Sequence, residues 1–107
     1  MITVWCVSHR SAALVHELLA SLPSQLVSRI VVLENSGLPS ERAILAEVQR
    51  SDQRVQPIIY SENLGFGAGM NAIARAEAGR PDDTIWLLNP DTKLQSYGSL
   101  DLANLLE

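Results

Sequence analysis

Residues 29–37 read Arg-Ile-Val-Val-Leu-Glu-Asn-Ser-Gly, an apolar run rich in β-branched residues that ends directly in polar residues and a turn. Three other short apolar runs share this pattern: Ile2–Val7, Val55–Tyr60 and Thr84–Leu88. Each of the four runs predicts a β-strand. Because they are apolar nearly throughout instead of alternating, they are typical of parallel strands covered on both faces.

Helical periodicity fills the segments between these runs. The first helix is expected after Ser11 as N-cap and before Pro23, the second between Pro39 and Ser51, and the third before Gly79. The apolar residues at helical spacing are Leu14, Val15, Leu18, Leu19, Leu22, Ile44, Leu45, Val48, Met70, Ile73, Ala74 and Ala76. The order βαβαβαβ predicts an α/β, Rossmann-like three-layer sandwich around a mostly parallel sheet of about four strands.

Composition limits the classes of protein that this chain can be. With 107 residues, 47% hydrophobic and 19% charged, residues 1–107 are expected to form one globular domain rather than a disordered one. The net charge of −4 argues against nucleic acid as a partner, because phosphate backbones are bound by clustered Lys and Arg. The single cysteine, Cys6, and the lack of a long apolar segment favour a cytoplasmic location.

The last residues of the sequence carry an unfinished pattern. Leu100–Leu106 begins another apolar-periodic segment, and the sequence stops while that pattern is still running. We therefore expect a domain that is truncated or minimal at its C-terminus. An incompletely covered side of such a domain could support a homo-oligomer.

Polar residues follow each predicted strand directly. The four strand ends are Ser8-His9-Arg10, Glu34-Asn35-Ser36, Ser61-Glu62-Asn63 and Asn89-Pro90-Asp91-Thr92. In open parallel sheets, ligands bind beyond the carboxyl ends of the strands, where these residues converge. The pattern therefore predicts a binding site at this edge, although polar residues also simply mark loops.

Three glycines lie between the third strand and the third helix. The segment 63–71 reads Asn-Leu-Gly-Phe-Gly-Ala-Gly-Met-Asn, and glycines before a helix N-terminus allow close approach of an anion such as a diphosphate. A plain tight turn explains the glycines equally well. A dinucleotide-binding module is an alternative, although Met70 stands where its fingerprint needs the last glycine.

Two carboxylates at the strand ends suit a nucleotide ligand. Pro90 ends the fourth strand and presents Asp91, which beside a diphosphate would suit Mg²⁺ or Mn²⁺. An Asx-type turn is the structural alternative for Asp91. Glu34 can accept hydrogen bonds from a base N–H or a ribose hydroxyl, or it is an ordinary exposed acid.

Four blocks of sequence together resemble the donor half of family 2 glycosyltransferases, above all the rhamnosyltransferase-type branch. The blocks are Val7-Ser8-His9-Arg10, Val32-Leu33-Glu34-Asn35-Ser36, residues 62–71 and Leu87-Leu88-Asn89-Pro90-Asp91-Thr92. They cover nearly the whole chain in the order and spacing of that family. The resemblance implies a GT-A fold and a nucleotide-diphospho-sugar donor such as a UDP- or dTDP-sugar.

The resemblance also implies roles for individual residues. Ser8 and His9 would lie along the nucleobase, and Glu34 would bind the base or ribose. Asn63, Gly65, Asn71 and Asn89 would line the donor pocket, with Asp91 as the ligand of a divalent metal. The implied reaction is inverting transfer of the sugar to an acceptor hydroxyl, on a glycan or a lipid-linked sugar.

The chain departs from the family pattern at three places. His9 and Arg10 stand where the family often has Tyr and Asn, and Asn89 replaces the first acid of the commoner Asp-x-Asp motif. The general base and the acceptor-binding elements belong to a later half of the family's domain that has no counterpart here. The expected alternative to a glycosyltransferase-like domain is thus a non-catalytic, self-associating fragment.

Overall fold

The computed structural model describes residues 2–79 and 84–91, which form a βαβαβαβ unit. The strands are β1 Ile2–Ser8, β2 Val27–Glu34, β3 Val55–Ile59 and β4 Thr84–Leu87. The helices are α1 Ala12–Ser21, α2 Pro39–Ser51 and α3 Gly65–Ala76. The predicted α/β class and the four strands are confirmed. The predictions for Thr92 and Leu100–Leu106 lie outside the described residues.

The four strands form one parallel sheet in the order β3-β2-β1-β4. From β1 to β3 the chain adds strands on one side of β1, and it then crosses back through α3 to place β4 on the other side. The direction of strand addition therefore reverses between β1 and β4. In open α/β sheets, the crevice at such a reversal is where ligands bind, at the carboxyl ends of the strands.

Two hydrophobic clusters cover the two faces of the sheet, because successive strand residues point to opposite faces. On one face α1 and α2 pack through residues such as Val15, Leu18 and Leu45. On the other face α3 packs through Met70 and Ile73. The sheet is therefore a middle layer between helices, as the apolar runs predict.

Burial departs from the predicted pattern at the edges of the sheet. Ile85 and Leu87 of β4 are 43% and 51% exposed, and Ile59 of β3 is 43% exposed, so covering on both faces is wrong for these residues. Ile85 and Leu87 lie on the face covered by α3, and they are exposed because α3 packs mainly against β1 and β2. Ile59 lies on the opposite face, at the last residue of β3. An apolar run at an edge strand reads like one in the centre, and sequence alone does not separate them.

The helices also differ in detail from their predicted faces. Leu14 is 39% exposed although it lies in the predicted apolar stripe of α1, and Ala74 and Ala76 of α3 are exposed. Ser11 is the N-cap residue of α1, but its hydroxyl donates to the carbonyl of His9 instead of capping the helix. None of the three helices in the described ranges has the length and hydropathy that crossing a bilayer requires.

The start of α3 lies earlier than the glycine pattern suggests. The helix begins at Gly65, so Gly67 and Gly69 are helical and only Gly65 of the three has a positive φ, at 75°. A Cβ at Gly69 would lie 2.9 Å from Cγ2 of Val7 on β1. The absence of a side chain at Gly69 therefore lets α3 pack closely on the sheet, and this glycine serves packing.

Cys6 is fully buried in the centre of β1. Burial disfavours the charged thiolate and raises the pKa of the Cys6 thiol to about 12. The thiol therefore behaves as a small apolar core group, as its place in an apolar strand predicts.

Candidate functional site

The ends of β1 and β2 meet at the carboxyl edge of the sheet. Ser8 and Glu34 are register partners at the last residues of these two parallel strands. The backbone continues the connection, since the Asn35 N–H donates to the Ser8 carbonyl at 3.0 Å and the Tyr60 N–H donates to the Glu34 carbonyl at 2.9 Å. Three strand ends are thus held together by backbone hydrogen bonds.

Glu34 is a buried acid, 0% exposed. Its Oε1 accepts the Ser36 N–H at 2.7 Å, which closes the turn after β2. Its Oε2 is buried with no hydrogen-bond partner in the described part of the chain. The alternative of an ordinary exposed acid is therefore wrong. A carboxylate oxygen that is removed from water without a partner is costly, and such a group is a candidate for binding a ligand.

Ser8, beside Glu34, is also buried and also has a polar atom without a hydrogen-bond partner. Its side chain is 0% exposed, and its Oγ has no hydrogen-bond partner within residues 2–79 and 84–91. The alternation along β1 and β2 places both side chains on the sheet face covered by α1 and α2. Ser8 and Glu34 therefore supply one hydroxyl and one carboxylate oxygen with unused hydrogen-bonding capacity at the same edge.

A second group of polar side chains lies on the α3 side of the edge, and hydrogen bonds join its members in one continuous network. Oδ1 of Asn35 faces Nδ1 of His9 at 3.2 Å. Nδ2 of Asn35 donates to Oδ1 of Asn63 at 3.2 Å, and that same oxygen accepts the N–H of Gly65 at 2.9 Å. Three residues predicted from the resemblance, His9, Asn63 and Gly65, are thus brought together, and Asn35 is the residue that connects them.

Asn35 is the functional candidate that sequence reasoning missed. It is 0% exposed, whereas His9 and Asn63 are exposed. The signal in the sequence was its position within the polar end Glu34-Asn35-Ser36, directly after a buried strand. A buried amide needs several partners, so an Asn at the end of a central strand is a good place to look for a polar network.

The loop between β1 and α1 is conformationally strained. Arg10 has a φ of 55°, the left-handed region that non-glycine residues seldom adopt. This conformation costs on the order of 1–2 kcal/mol for an L-residue. Backbone strain of this kind is frequent at functional sites, and here it occurs directly after His9.

The beginning of α3 leaves open space at the same edge. A Cβ at Gly65 or Gly67 would meet nothing within 4 Å, and both residues are exposed. Asn71 is also exposed, on the second turn of α3. The helix N-terminus is therefore accessible to an anion, with Gly65 already bonded to Asn63.

Asn89 and Asp91 follow β4 on the opposite side of β1. The ladder continues past β4 through the Leu88 N–H, which donates to the Trp5 carbonyl at 3.0 Å, so the polar residues emerge near the level of Ser8. Asn89 and Asp91 are both exposed. Within the described ranges, no hydrogen bond joins Asp91 to Glu34 or Asn63.

The carboxylate of Asp91 fits a divalent metal site in which the protein supplies few of the ligands. Across the residues that the structure describes, no group of three or more His, Cys, Asp or Glu side chains could enclose an ion. Mg²⁺ and Mn²⁺ with nucleotides often take only one or two carboxylates and complete their shell with phosphate oxygens and water. An exposed single carboxylate such as Asp91 fits that second arrangement.

A shallow cavity elsewhere lies apart from these residues. It is lined by His16, Leu19, Ala20, Val48, Ser51 and Asp52. Asp52 follows the end of α2, three residues before β3, and is ion-paired with Arg54 at 2.8 Å, so the cavity lies toward the amino end of the strands. The side-chain hydrogen bond from Arg54 holds the pKa of Asp52 below its ordinary value. This cavity gathers none of the predicted site residues.

Comparison with protein-family models and with curated proteins found no match to this chain. Comparison with solved structures did find similar folds. The mannosyltransferase PcManGT from Pyrobaculum calidifontis, solved in complex with GDP-Man and Mn²⁺, matches with a TM-score of 0.74 and 16% sequence identity. The match covers 98% of this chain and 31% of that protein.

The structure of S. aureus TarS residues 1–349 is similar to the same degree. It matches with a TM-score of 0.70 and 16% identity, over 98% of this chain and 32% of that one. The chain thus spans about a third of the length of each of these structures. The likeness shows that the fold is the Rossmann-like half of a GT-A structure.

Proposed function

We propose that this chain is a nucleotide-sugar-binding, glycosyltransferase-like domain that holds its donor at the carboxyl edge of the sheet. The observation that carries the proposal is the pair of buried, unpartnered groups at that edge, Glu34 Oε2 and Ser8 Oγ. The likeness of the fold to a mannosyltransferase solved with GDP-Man and Mn²⁺ supports a nucleotide sugar as the ligand class.

The proposed donor is a UDP- or dTDP-sugar, and GDP is included because of the ligand of the structural neighbour. Ser8 and Glu34 would bind the nucleoside, since their unpartnered atoms lie at adjacent strand ends, and the exposed ring of His9, directly after Ser8, would bind beside them. Asn63, Gly65 and Asn71 would line the diphosphate-sugar side, where the start of α3 is open. Binding of the nucleoside would satisfy polar atoms that are otherwise buried without partners.

Asn89 and Asp91 would complete the donor site on the other side of β1. Asp91 would hold a Mg²⁺ or Mn²⁺ ion together with the diphosphate, and such an ion neutralises charge on the departing nucleoside diphosphate. Asn89 is exposed beside it and would contact the donor. The proposed reaction is inverting transfer of the sugar to an acceptor hydroxyl of a glycan or lipid-linked sugar. Deprotonation of that hydroxyl is assigned to none of the described residues.

Isothermal titration calorimetry tests this proposal directly. UDP, dTDP and GDP are titrated separately, each with and without Mn²⁺. We expect binding of at least one nucleotide that strengthens when Mn²⁺ is present, because the metal joins the diphosphate to Asp91. Absence of measurable heat for all three nucleotides at millimolar concentration would contradict the proposal. Titration of NAD without metal separates the dinucleotide alternative, which alone expects binding under that condition.

A second candidate function, self-association, is favoured by one specific observation. Ile85 and Leu87 are large, apolar and about half exposed on β4, which is an edge strand among the described residues. Such a strand can pair with another copy of the chain. Sizing chromatography of the wild type and of the double variant Ile85→Thr, Leu87→Thr tests it. A concentration-dependent oligomer that the double variant loses supports this candidate, and a monomer at all concentrations excludes it.

A further inference from the structure

We infer that Asn35 is a positioning residue that fixes the neutral ring of His9 as the Nδ1–H tautomer, so that Nε2 presents a hydrogen-bond acceptor at the carboxyl edge. The inference follows from the directions of three connected hydrogen bonds. The role of Nε2 toward a ligand rests on the function proposed above, whereas the assignment of the tautomer is independent of that function.

The direction of the network is set at its backbone end. The N–H of Gly65 can only donate, and its acceptor, 2.9 Å away, is a side-chain atom of Asn63. That atom must therefore be the carbonyl oxygen, Oδ1. The Gly65 N–H therefore fixes which side of the Asn63 amide carries the oxygen and which carries the nitrogen.

The orientation of Asn35 follows from that of Asn63. The Asn35 atom that lies 3.2 Å from Asn63 Oδ1 must be a donor, so it is Nδ2. Rotating the Asn35 amide by half a turn would bring two carbonyl oxygens together. Because Asn35 is 0% exposed, water does not offer an alternative partner that would offset this repulsion.

The remaining oxygen of Asn35 then decides the proton position on His9. Oδ1 of Asn35 lies 3.2 Å from Nδ1 of His9, and an oxygen without hydrogen can only accept. Nδ1 must therefore carry the proton. In a neutral imidazole the other nitrogen, Nε2, is then an acceptor, since the hydrogen bond of one ring nitrogen sets the state of the other.

The accessible part of His9 carries this acceptor to the site. His9 is exposed and lies beside Ser8, while Glu34, the register partner of Ser8, contributes a carboxylate oxygen without a partner. Two adjacent strand ends therefore hold acceptors, the accessible Nε2 of His9 and the buried Oε2 of Glu34. A ligand that fits them offers N–H or O–H groups, which the base and ribose of the proposed nucleotide donor supply.

Nuclear magnetic resonance of ¹⁵N-labelled chain at pH about 8.5, where histidine is ordinarily neutral, tests the tautomer. We expect a protonated, pyrrole-type Nδ1 and an unprotonated, pyridine-type Nε2 for His9. The second histidine of the chain, His16, is exposed on α1 and provides an internal control with averaged signals. Averaged signals for His9, or a proton on Nε2, would overturn the inference.

Two substitutions of Asn35 separate positioning from general damage to the fold. Asn35→Leu removes the acceptor, and we expect His9 to become a mixture of tautomers. Asn35→Asp keeps an acceptor for Nδ1–H but loses the donor to Asn63. Asn63 is exposed, so its amide can rotate and donate Nδ2–H to the new carboxylate while the Gly65 N–H turns to water, and we expect the wild-type tautomer to persist. A wild-type signature in Asn35→Leu would overturn the inference. If that variant fails to fold, the spectra of the wild type and of Asn35→Asp decide the question alone.

Titration of UDP with Mg²⁺ into the labelled chain then tests the acceptor role. We expect the Nε2 signal of His9 to shift on binding while Nδ1 keeps its proton. UDP that binds by calorimetry without moving Nε2 would overturn the acceptor role. If calorimetry shows no binding of any nucleotide, the proposed function fails while the tautomer assignment is still judged by the spectrum of the free chain.

Discussion

The ends of β2 and β4 differ sharply, although both strands are parallel neighbours of β1. At the end of β2, Glu34 and Asn35 are 0% exposed and are held by hydrogen bonds in the backbone and side chains. At β4, Ile85 and Leu87 are about half exposed. β2 has strands on both sides and helices on both faces, whereas β4 has a described strand on one side, and α3 packs mainly against β1 and β2. The nucleoside side of the proposed site is thus buried and hydrogen-bonded in the free chain, whereas the metal side is open to solvent.

The largest expected effect compares one leucine from each strand on the same face of the sheet. Leu33→Ala on β2 removes a side chain that is 0% exposed, and we expect the free energy of unfolding to fall by about 2–5 kcal/mol. Leu87→Ala on β4, where the side chain is 51% exposed, is expected to cost only about 0.5 kcal/mol. Urea unfolding of both variants measures the difference. Equal losses would mean that β4 is as well covered as β2.

The turn after β2 provides the next test of this difference in packing. Gly37 has a φ of 73°, and a Cβ there would lie 2.5 Å from the carbonyl oxygen of Ser61. We expect Gly37→Ala to lower the unfolding free energy by about 2 kcal/mol or more, since backbone strain alone costs roughly 1–2 kcal/mol. Gly79→Ala is the matched control, with a φ of 85° and open space around the added atom. A similar loss in both variants would show that the turn can move away from Ser61.

Binding of the nucleotide tests the buried acid. Glu34→Gln keeps Oε1 as acceptor for the Ser36 N–H but removes the charge from the position of the unpartnered oxygen. We expect UDP affinity by calorimetry to fall about ten- to a hundredfold, the range of a hydrogen bond to a charged group, with little change in stability. Glu47→Gln, an exposed acid on α2 that pairs with Arg50, is the control and should bind like the wild type. Unchanged affinity in Glu34→Gln would remove Glu34 from the site.

The smallest effect is expected on the open side, at Asp91. In Asp91→Asn we expect UDP affinity in Mn²⁺ to fall by about tenfold, corresponding to roughly 1.4 kcal/mol, and affinity without metal to stay unchanged. Asp52→Asn is the control, because Asp52 lies at the amino end of the sheet and pairs with Arg54. A loss that is the same with and without Mn²⁺ would mean that Asp91 acts through something other than a metal.

The sequence predicts the central parts of this fold better than its edges. Apolar runs and helical periodicity locate β1, β2 and the helices, because these elements are decided by local patterns of burial. The exposure of Ile85 and Leu87 depends on how far α3 reaches over the sheet, which no local pattern contains. The start of α3 at Gly65 was missed for a related reason, since packing against Val7 stabilises a helix through Gly69 that its glycines alone disfavour.

In the candidate site, too, the sequence predicts what local patterns decide and not the contacts between distant residues. The polar strand ends indicate that Ser8, Glu34 and Asn63 belong to one edge of the sheet, because parallel strands place their carboxyl ends together. The role of Asn35 could not be predicted, since it depends on contacts with residues 26 and 28 positions away in the chain. Spacing in the sequence carries no information on which of several neighbouring polar groups bond to one another.

The burial of Cys6 makes the chain a convenient object for spectroscopic labelling. Because the only thiol is inaccessible and neutral at ordinary pH, a cysteine introduced on the surface, for example at Glu62, can be coupled to a fluorophore while Cys6 stays unmodified. Once the chain unfolds, Cys6 becomes available to the same reagents. Its rate of modification in the native chain therefore reports how often the centre of the sheet opens.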